Sequence, residues 1–103
     1  RPALPEAEAR LVPVRRFRGP ISLQPYLRRL PEAERAAARS TIRRHGEFMD
    51  LPADVALYWA DGARTLGEIL DLTELETDVR DAEGLLAYFR LLERLGLVGW
   101  AGG

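Results

Sequence analysis

Few residues in this chain have the types and spacing that catalysis needs. His45 is the single histidine and cysteine is absent, so a Ser–His–Asp triad and a histidine- or cysteine-based zinc site both lack partners. Ser22 and Ser40 are the only serines, and neither lies in a Gly-x-Ser-x-Gly sequence. We therefore expect a non-catalytic chain that holds no metal and no cofactor.

An acidic cluster and the lone histidine are the remaining candidates for chemistry. The cluster could hold a hard cation, but its spacing differs from that of an EF-hand loop, and a solvated loop explains it better. His45 follows Arg43 and Arg44, and we interpret it as a surface residue that caps the end of a helix. The cluster consists of Glu74, Glu76, Asp78, Asp81 and Glu83.

Charge is distributed unevenly along the chain, although the net charge is −1. Residues 1–45 carry a formal charge of +7, from eleven arginines and four acids, whereas residues 46–103 carry −8, from four arginines and twelve acids. Such asymmetry is typical of a nucleic-acid-binding arm, or of a basic half that packs beside an acidic half. We prefer the second explanation.

No apolar run approaches the length of about 20 residues that crosses a bilayer, and the start of the chain lacks a signal-peptide pattern. We expect a cytoplasmic protein without a membrane partner. The first residue is Arg1 rather than methionine, so we also expect a chain that was processed or cut from a longer one.

Residues 56–98 predict a helix, a tight turn, a short helix, a loop, a long helix and a strand. Asp61 and Gly62 form a turn signal, and Thr65 with Glu68 fits a capping box. We therefore predict a mainly α fold with a small β-sheet, a winged helix-turn-helix with an extra N-terminal strand and helices. Its predicted core comprises Leu57, Tyr58, Trp59, Leu66, Ile69, Leu85, Phe89, Leu92 and Val98.

The domain boundaries and the flanking elements follow from local signals. Residues 1–9 are predicted to be a flexible tail or linker, and residues 10–103 a single winged-helix-like domain. Ahead of the core we expect a strand over residues 11–17, a short helix capped by Ser22, and a surface helix over residues 31–44. The last helix should begin at Asp78 or Asp81 and end at Gly96. Residues 97–100 should form a strand that pairs with the early strand or makes half of a wing.

The sequence Asp-Gly-x-Arg-Thr-Leu-x-Glu-Ile at residues 61–69 precedes a Leu/Phe-rich helix and Leu-Gly-Leu-Val at residues 95–98. With residues 14–23, this pattern resembles the small winged-helix modules appended to bacterial zinc aminopeptidases of the co-catalytic two-metal type. The same core is similar to the peptide-recognition domains of the pyrroloquinoline-quinone chaperone type, which grip a leader peptide along a strand edge and a helix. That second resemblance implies a binding surface between the strand from Val12 and the helix over residues 82–94. Neither resemblance supplies catalytic residues.

Three functions are compatible with these patterns. We expect a non-catalytic accessory domain that contacts a protein, such as the catalytic domain of an aminopeptidase-like parent; this domain should expose an apolar patch near Trp59, Tyr88 or Trp100. The alternatives are leader-peptide recognition by strand addition and DNA binding, for which the acidic final helix offers few cations. The oligomeric state is left open. The candidate interaction surface consists of Arg15, Arg16, Arg18, Arg28, Arg29, Arg90 and Arg94.

Overall fold

A computed structural model describes residues 3–102 and confirms a mainly α fold with a small antiparallel sheet. The order of elements within these residues is compatible with a winged helix that carries additional N-terminal elements. The elements are α1 (Glu6–Ala9), β1 (Pro13–Arg15), α2 (Gln24–Leu27), α3 (Glu32–Arg44), α4 (Leu51–Tyr58), α5 (Leu66–Thr77), α6 (Ala82–Arg94) and β2 (Val98–Trp100).

Helix α6 lies at the centre of the core. Leu85, Phe89 and Leu92 follow one another at helical spacing and are fully buried. Asp81 caps the helix by accepting a hydrogen bond from the backbone N–H of Gly84 at 2.8 Å. Gly96, just after the helix, has φ +77°, a conformation that glycine adopts without steric cost. The sequence signals for both ends of this helix are therefore confirmed.

Helix α5 begins with the predicted capping box. The Thr65 hydroxyl accepts a hydrogen bond from the Glu68 backbone N–H, and the Glu68 carboxylate accepts one from the Thr65 backbone N–H. The helix is longer than the predicted short one and extends to Thr77. Asp78 ends it with φ +62°, in the left-handed region.

Strand β1 lies between two neighbours. It pairs with β2 in antiparallel register, with Val14 opposite Gly99, and on its other side Val14 forms a bridge with Asp61. The predicted pairing of the last strand with the early one is therefore confirmed. The early strand is shorter than the predicted span of residues 11–17: it covers Pro13–Arg15, with one flanking hydrogen bond at Val12 and one at Arg16.

The segment predicted to be a tail contains a short helix that contacts the rest of the domain. Helix α1 contacts α5, and Leu4 packs against the core. Residues 1 and 2 of the predicted tail lie outside the described residues, and the domain boundary at residue 10 stays a prediction. Helix α2 is preceded by Leu23 at the capping position, so the expected cap by Ser22 is wrong.

The predicted core is correct except at the end of α4. Tyr58 is 64% exposed and Trp59 is only half-buried, whereas the other seven predicted core residues are buried. The physical reason is that α4 packs through Ala53, Ala56 and Leu57, which places Tyr58 on the opposite side. No helix within residues 3–102 is long and apolar enough to cross a membrane.

Candidate interaction surface

Helix α4 exposes an apolar stripe. Leu51 is 59% exposed and Tyr58 is 64% exposed, and the half-buried Val55 lies between them. Because these positions follow the spacing i, i+4 and i+7, they share one face of the helix. We call these three residues the α4 stripe. The predicted apolar patch near Trp59 thus lies on its neighbour Tyr58, whose ring contacts that of Trp59 edge to face at 5.1 Å between centroids.

The other two positions proposed for an apolar patch differ. Tyr88 is only 4% exposed, because its ring packs edge to face with Phe48 and Phe89 inside the core. Trp100 is half-buried, and its indole N–H donates to the Glu93 carboxylate at 2.8 Å. Of the three alternative positions, Tyr88 is therefore not at an exposed patch, and the Trp100 indole is hydrogen-bonded to a carboxylate.

A cleft of about 440 Å³ lies beside the α4 stripe, between α4 and residues 19–21. We call it the α4 cleft. Arg15 and Asp54 supply its charged side chains, and Ile21, Leu57 and Tyr58 supply its large apolar ones. The cleft therefore combines both signs of charge with apolar walls.

The seven arginines of the predicted surface do not form one patch. Arg15 lines the α4 cleft, whereas Arg29 and Arg94 line a separate cleft of about 170 Å³. Arg16 lies flat against β2, since a Cβ placed on Gly99 would be 2.4 Å from its Nη2 atom. The fold thus distributes these side chains over several surfaces.

The two arginines of α6 already have acidic partners. Arg94 donates to both carboxylate oxygens of Glu34, at 2.9 and 2.8 Å. Arg90 donates to Glu93 at 3.2 Å, and its guanidinium lies 5.7 Å from the centre of the Trp100 ring. Helix α6 is the one that would enter a DNA groove, and both of its arginines are therefore already paired with carboxylates.

The basic half of the chain is not neutralised by direct ion pairs with the acidic half. Within residues 3–102, Arg94 pairs with Glu34 across the two halves, but the arginines between residues 15 and 44 have no acidic partner within 4.0 Å. These are Arg15, Arg16, Arg18, Arg28, Arg29, Arg35, Arg39, Arg43 and Arg44.

Helix α3 carries basic residues that the predicted surface omitted. Arg35, Arg39 and Arg43 recur every fourth residue and so lie on one side of the helix. Their spacing was visible in the sequence and could have placed them in the predicted surface. We call them the α3 arginine row.

His45 is the C-cap residue of α3, as predicted, but its side chain is largely buried rather than on the surface. Its side chain is 9% exposed, and its Nδ1 lies 2.7 Å from the carboxylate of Asp81, the residue that caps α6. The end of α3 therefore meets the start of α6 through this pair. Nε2 is 3.7 Å from the carboxylate of Glu83 and has no hydrogen-bond partner among the described residues. No hydrogen bond within residues 3–102 joins the ring to a serine or threonine hydroxyl, and we assign the pair a structural role.

The acidic side chains between residues 74 and 83 contact different partners. Glu74 pairs with Arg80, and Glu76 accepts a hydrogen bond from the Trp59 indole at 3.0 Å. Glu74 and Glu76 lie on α5 rather than in a loop, which corrects the predicted boundary. In the described part of the chain, no group of three or more acidic or histidine side chains is placed to hold a metal ion.

The sheet has one unpaired edge, and it is not the edge expected from the resemblance. β1 is flanked on both sides, by β2 and by the bridge at Asp61. Along an antiparallel strand, successive residues alternately direct their backbone N–H and C=O groups toward and away from the neighbouring strand. The hydrogen bonds from Ala101 N–H to the Val12 carbonyl and from Arg16 N–H to the Leu97 carbonyl show which residues face β1. This alternation turns the backbone groups of Val98 and Trp100 away from β1, where no hydrogen bond within residues 3–102 reaches them.

Comparisons with protein-family models, curated proteins and solved structures found no match. Function is therefore inferred from the geometry of the chain. Two features of that geometry are the α4 stripe with its adjoining cleft and the outer edge of β2.

Proposed function

We propose that this chain is a non-catalytic, winged-helix-like accessory domain that docks onto a protein through the α4 stripe. The expected partner is the catalytic domain of a larger aminopeptidase-like protein, and a cytoplasmic location belongs to the same proposal. The single observation that carries the proposal is the exposure of Leu51 and Tyr58 on a helix whose opposite face is already in the core.

The composition of α4 explains why this exposure points to a partner. Of its eight residues, only Asp54 is charged. Helices that are apolar on all sides are normally buried on all sides, because each large side chain left in water forgoes about 1.5–3 kcal/mol of burial free energy. The inner face of α4 is covered by α5 and α6. A protein surface placed over Leu51 and Tyr58 would complete the burial.

Hydrogen exchange on the protein encoded by the complete reading frame tests this proposal. We expect the backbone amides of α4 to exchange more slowly in that protein than in the 103-residue chain. The double variant Leu51→Ser, Tyr58→Ser should remove the difference. Leu75→Ser is the matched control, because Leu75 is 80% exposed but lies on α5 outside the stripe. Equal exchange of α4 in both proteins would contradict docking through this face.

A second candidate function is peptide recognition by strand addition at β2. The unpaired backbone groups at Val98 and Trp100 favour it, because an added strand gains affinity from such groups. Val98 is only 3% exposed, however, so an incoming strand must first displace the side chains that cover it.

Amide protection distinguishes this second candidate from the first. A peptide selected from a displayed library of random sequences should slow exchange of the Trp100 amide if it adds to β2. The Gly99 amide is the internal control, since it faces β1 and should change little. Protection on α4 instead of Trp100 would favour docking at the stripe.

DNA binding has weaker support. Arg90 and Arg94 are already paired with carboxylates, so α6 would have to break ion pairs before it contacted phosphates. The α3 arginine row has no acidic partner within 4.0 Å among residues 3–102, but it lies outside the helix that winged-helix proteins place in the major groove.

A further inference from the structure

The α4 cleft is lined by two opposite charges that do not form a direct ion pair. Arg15, from β1, and Asp54, from α4, line the same cleft. They do not form an ion pair within 4.0 Å, and neither has another charged partner within that distance among residues 3–102. Arg15 is half-buried, whereas Asp54 is exposed. The fold thus places a cation and an anion on one cleft without a direct ion pair between them.

The other residues that line the cleft are largely apolar. Ile21, Leu57 and Tyr58 contribute the large side chains, and Gly19 and Pro20 complete the lining. A volume of about 440 Å³ falls in the range of small-molecule sites, which pair apolar walls with a few placed polar groups. A ligand that suits all of these surfaces has a negative group, a positive group and an apolar body.

We propose that the α4 cleft binds a free α-amino acid with an apolar side chain. The ligand carboxylate pairs with the Arg15 guanidinium, and its ammonium group pairs with the Asp54 carboxylate. Its side chain lies against Ile21 and Leu57. Hydrogen bonds between such charged groups are stronger than neutral ones, and the planar guanidinium matches the two oxygens of a carboxylate.

Ligands with only one of these charges fit less well. A simple carboxylate would satisfy Arg15 but would bring a second negative charge near Asp54. An alkyl ammonium ion would satisfy Asp54 but would leave Arg15 without an acceptor and add a like charge. Glycine would carry both charges and leave the walls formed by Ile21, Leu57 and Tyr58 uncovered. The combination of features therefore selects a zwitterion with an apolar side chain.

This inference does not depend on the proposed docking function. Tyr58 belongs to both surfaces, but Leu51 belongs to the α4 stripe and does not line the cleft. Leu51→Ser should therefore weaken docking and leave amino-acid binding unchanged. The two ideas can fail separately.

Titration of the ¹⁵N-labelled chain followed by NMR tests the inference. The probes are L-leucine and L-phenylalanine, with 4-methylpentanoate, isopentylamine and glycine as analogues that each lack one required group. We expect saturable shifts of the Gly19, Ile21 and Tyr58 amides with leucine or phenylalanine at millimolar concentrations. The three analogues should bind at least about tenfold more weakly, which corresponds to the loss of one charge-assisted or apolar contact.

Matched variants test the assigned roles. Arg15→Gln and Asp54→Asn should each weaken leucine binding by about tenfold or more. Arg18→Gln and Glu47→Gln change exposed charges that do not line the cleft, and they should bind leucine as the parent chain does. Thermal unfolding of every variant checks that the fold persists; if Arg15→Gln does not fold, the comparison of leucine with 4-methylpentanoate still tests the pairing with Asp54. Absence of saturable shifts with both amino acids, or equal affinity for 4-methylpentanoate and leucine, would overturn the proposal.

Discussion

The contact between His45 and Asp81 makes the stability of the domain depend on one carboxylate. Asp81 accepts a hydrogen bond from the Gly84 backbone N–H at 2.8 Å and, through its other oxygen, contacts His45 Nδ1 at 2.7 Å. One side chain therefore caps α6 and also fixes the end of α3. We predict that Asp81→Ala will be among the most destabilising single changes outside the apolar core.

The expected magnitude has two parts. Loss of an N-cap side chain costs about 1 kcal/mol. Loss of the histidine contact leaves Nδ1 without its partner on a ring that is 9% exposed, and an unsatisfied buried polar group costs about 1–3 kcal/mol. We therefore expect Asp81→Ala to lower the free energy of unfolding by about 2–4 kcal/mol, which corresponds to a fall in Tm of at least about 8 °C in a chain of this size. Asp81→Ser retains a capping oxygen and should lose only the part due to the histidine contact, about 1–3 kcal/mol.

Urea denaturation followed by circular dichroism measures these differences. Glu47→Ala is the control, because Glu47 is an exposed acid in the turn after α3 and is not part of the link. A loss of less than about 0.5 kcal/mol in Asp81→Ala, which is the range of ordinary surface substitutions, would refute the assigned role. Equal losses in Asp81→Ala and Asp81→Ser would refute the division between cap and histidine contact.

Two further predictions concern the core and the turn before α5. Leu85→Ala or Phe89→Ala should each destabilise the fold by about 2–5 kcal/mol, because both side chains are fully buried; near-parental stability in a denaturant titration would contradict the central position of α6. The backbone N–H of Ala63, assisted by the Arg64 guanidinium, lowers the pKa of Asp61 in the folded chain. The stabilisation that comes from ionised Asp61 should therefore be complete above the ordinary aspartate pKa of 3.8, and it should be lost as the pH falls below that value. Asp61→Asn should show a smaller loss of stability between pH 5 and pH 3 than the parent chain, and an unchanged loss would contradict this account.

Local sequence determined the structural features that depend on only a few neighbouring residues. The capping box at Thr65 and Glu68, the cap by Asp81 and the helix end at Gly96 are all present as expected. The apolar periodicity of α6 identified its buried face, since its polar residues leave only one side that can enter a core. These features were predictable because the residues that make them lie within one or two helical turns of each other.

Helix α4 shows where local sequence is insufficient. Its apolar residues surround the whole helix, so periodicity could not decide whether Leu57 or Tyr58 would face the core. Packing against α5 and α6 decided it, and the exposed Tyr58 became part of the candidate surface. The placement of β1 beside Ala60 and Asp61, just after α4, brought Arg15 and Asp54 to one cleft, although they are far apart in the sequence.

The sequence by itself thus determined the mainly helical fold, the start of α5, both ends of α6 and the buried face of α6, because those depend on hydrogen bonds and side-chain spacing within each element. Tertiary structure alone decided the burial of His45, the position of β1 between two neighbours, and the separation of the predicted arginine surface. The physical reason is that each of these depends on how distant elements approach one another. The burial of a side chain and its pairing with other charges depend on which elements come together in the fold, and no single segment of the sequence encodes them.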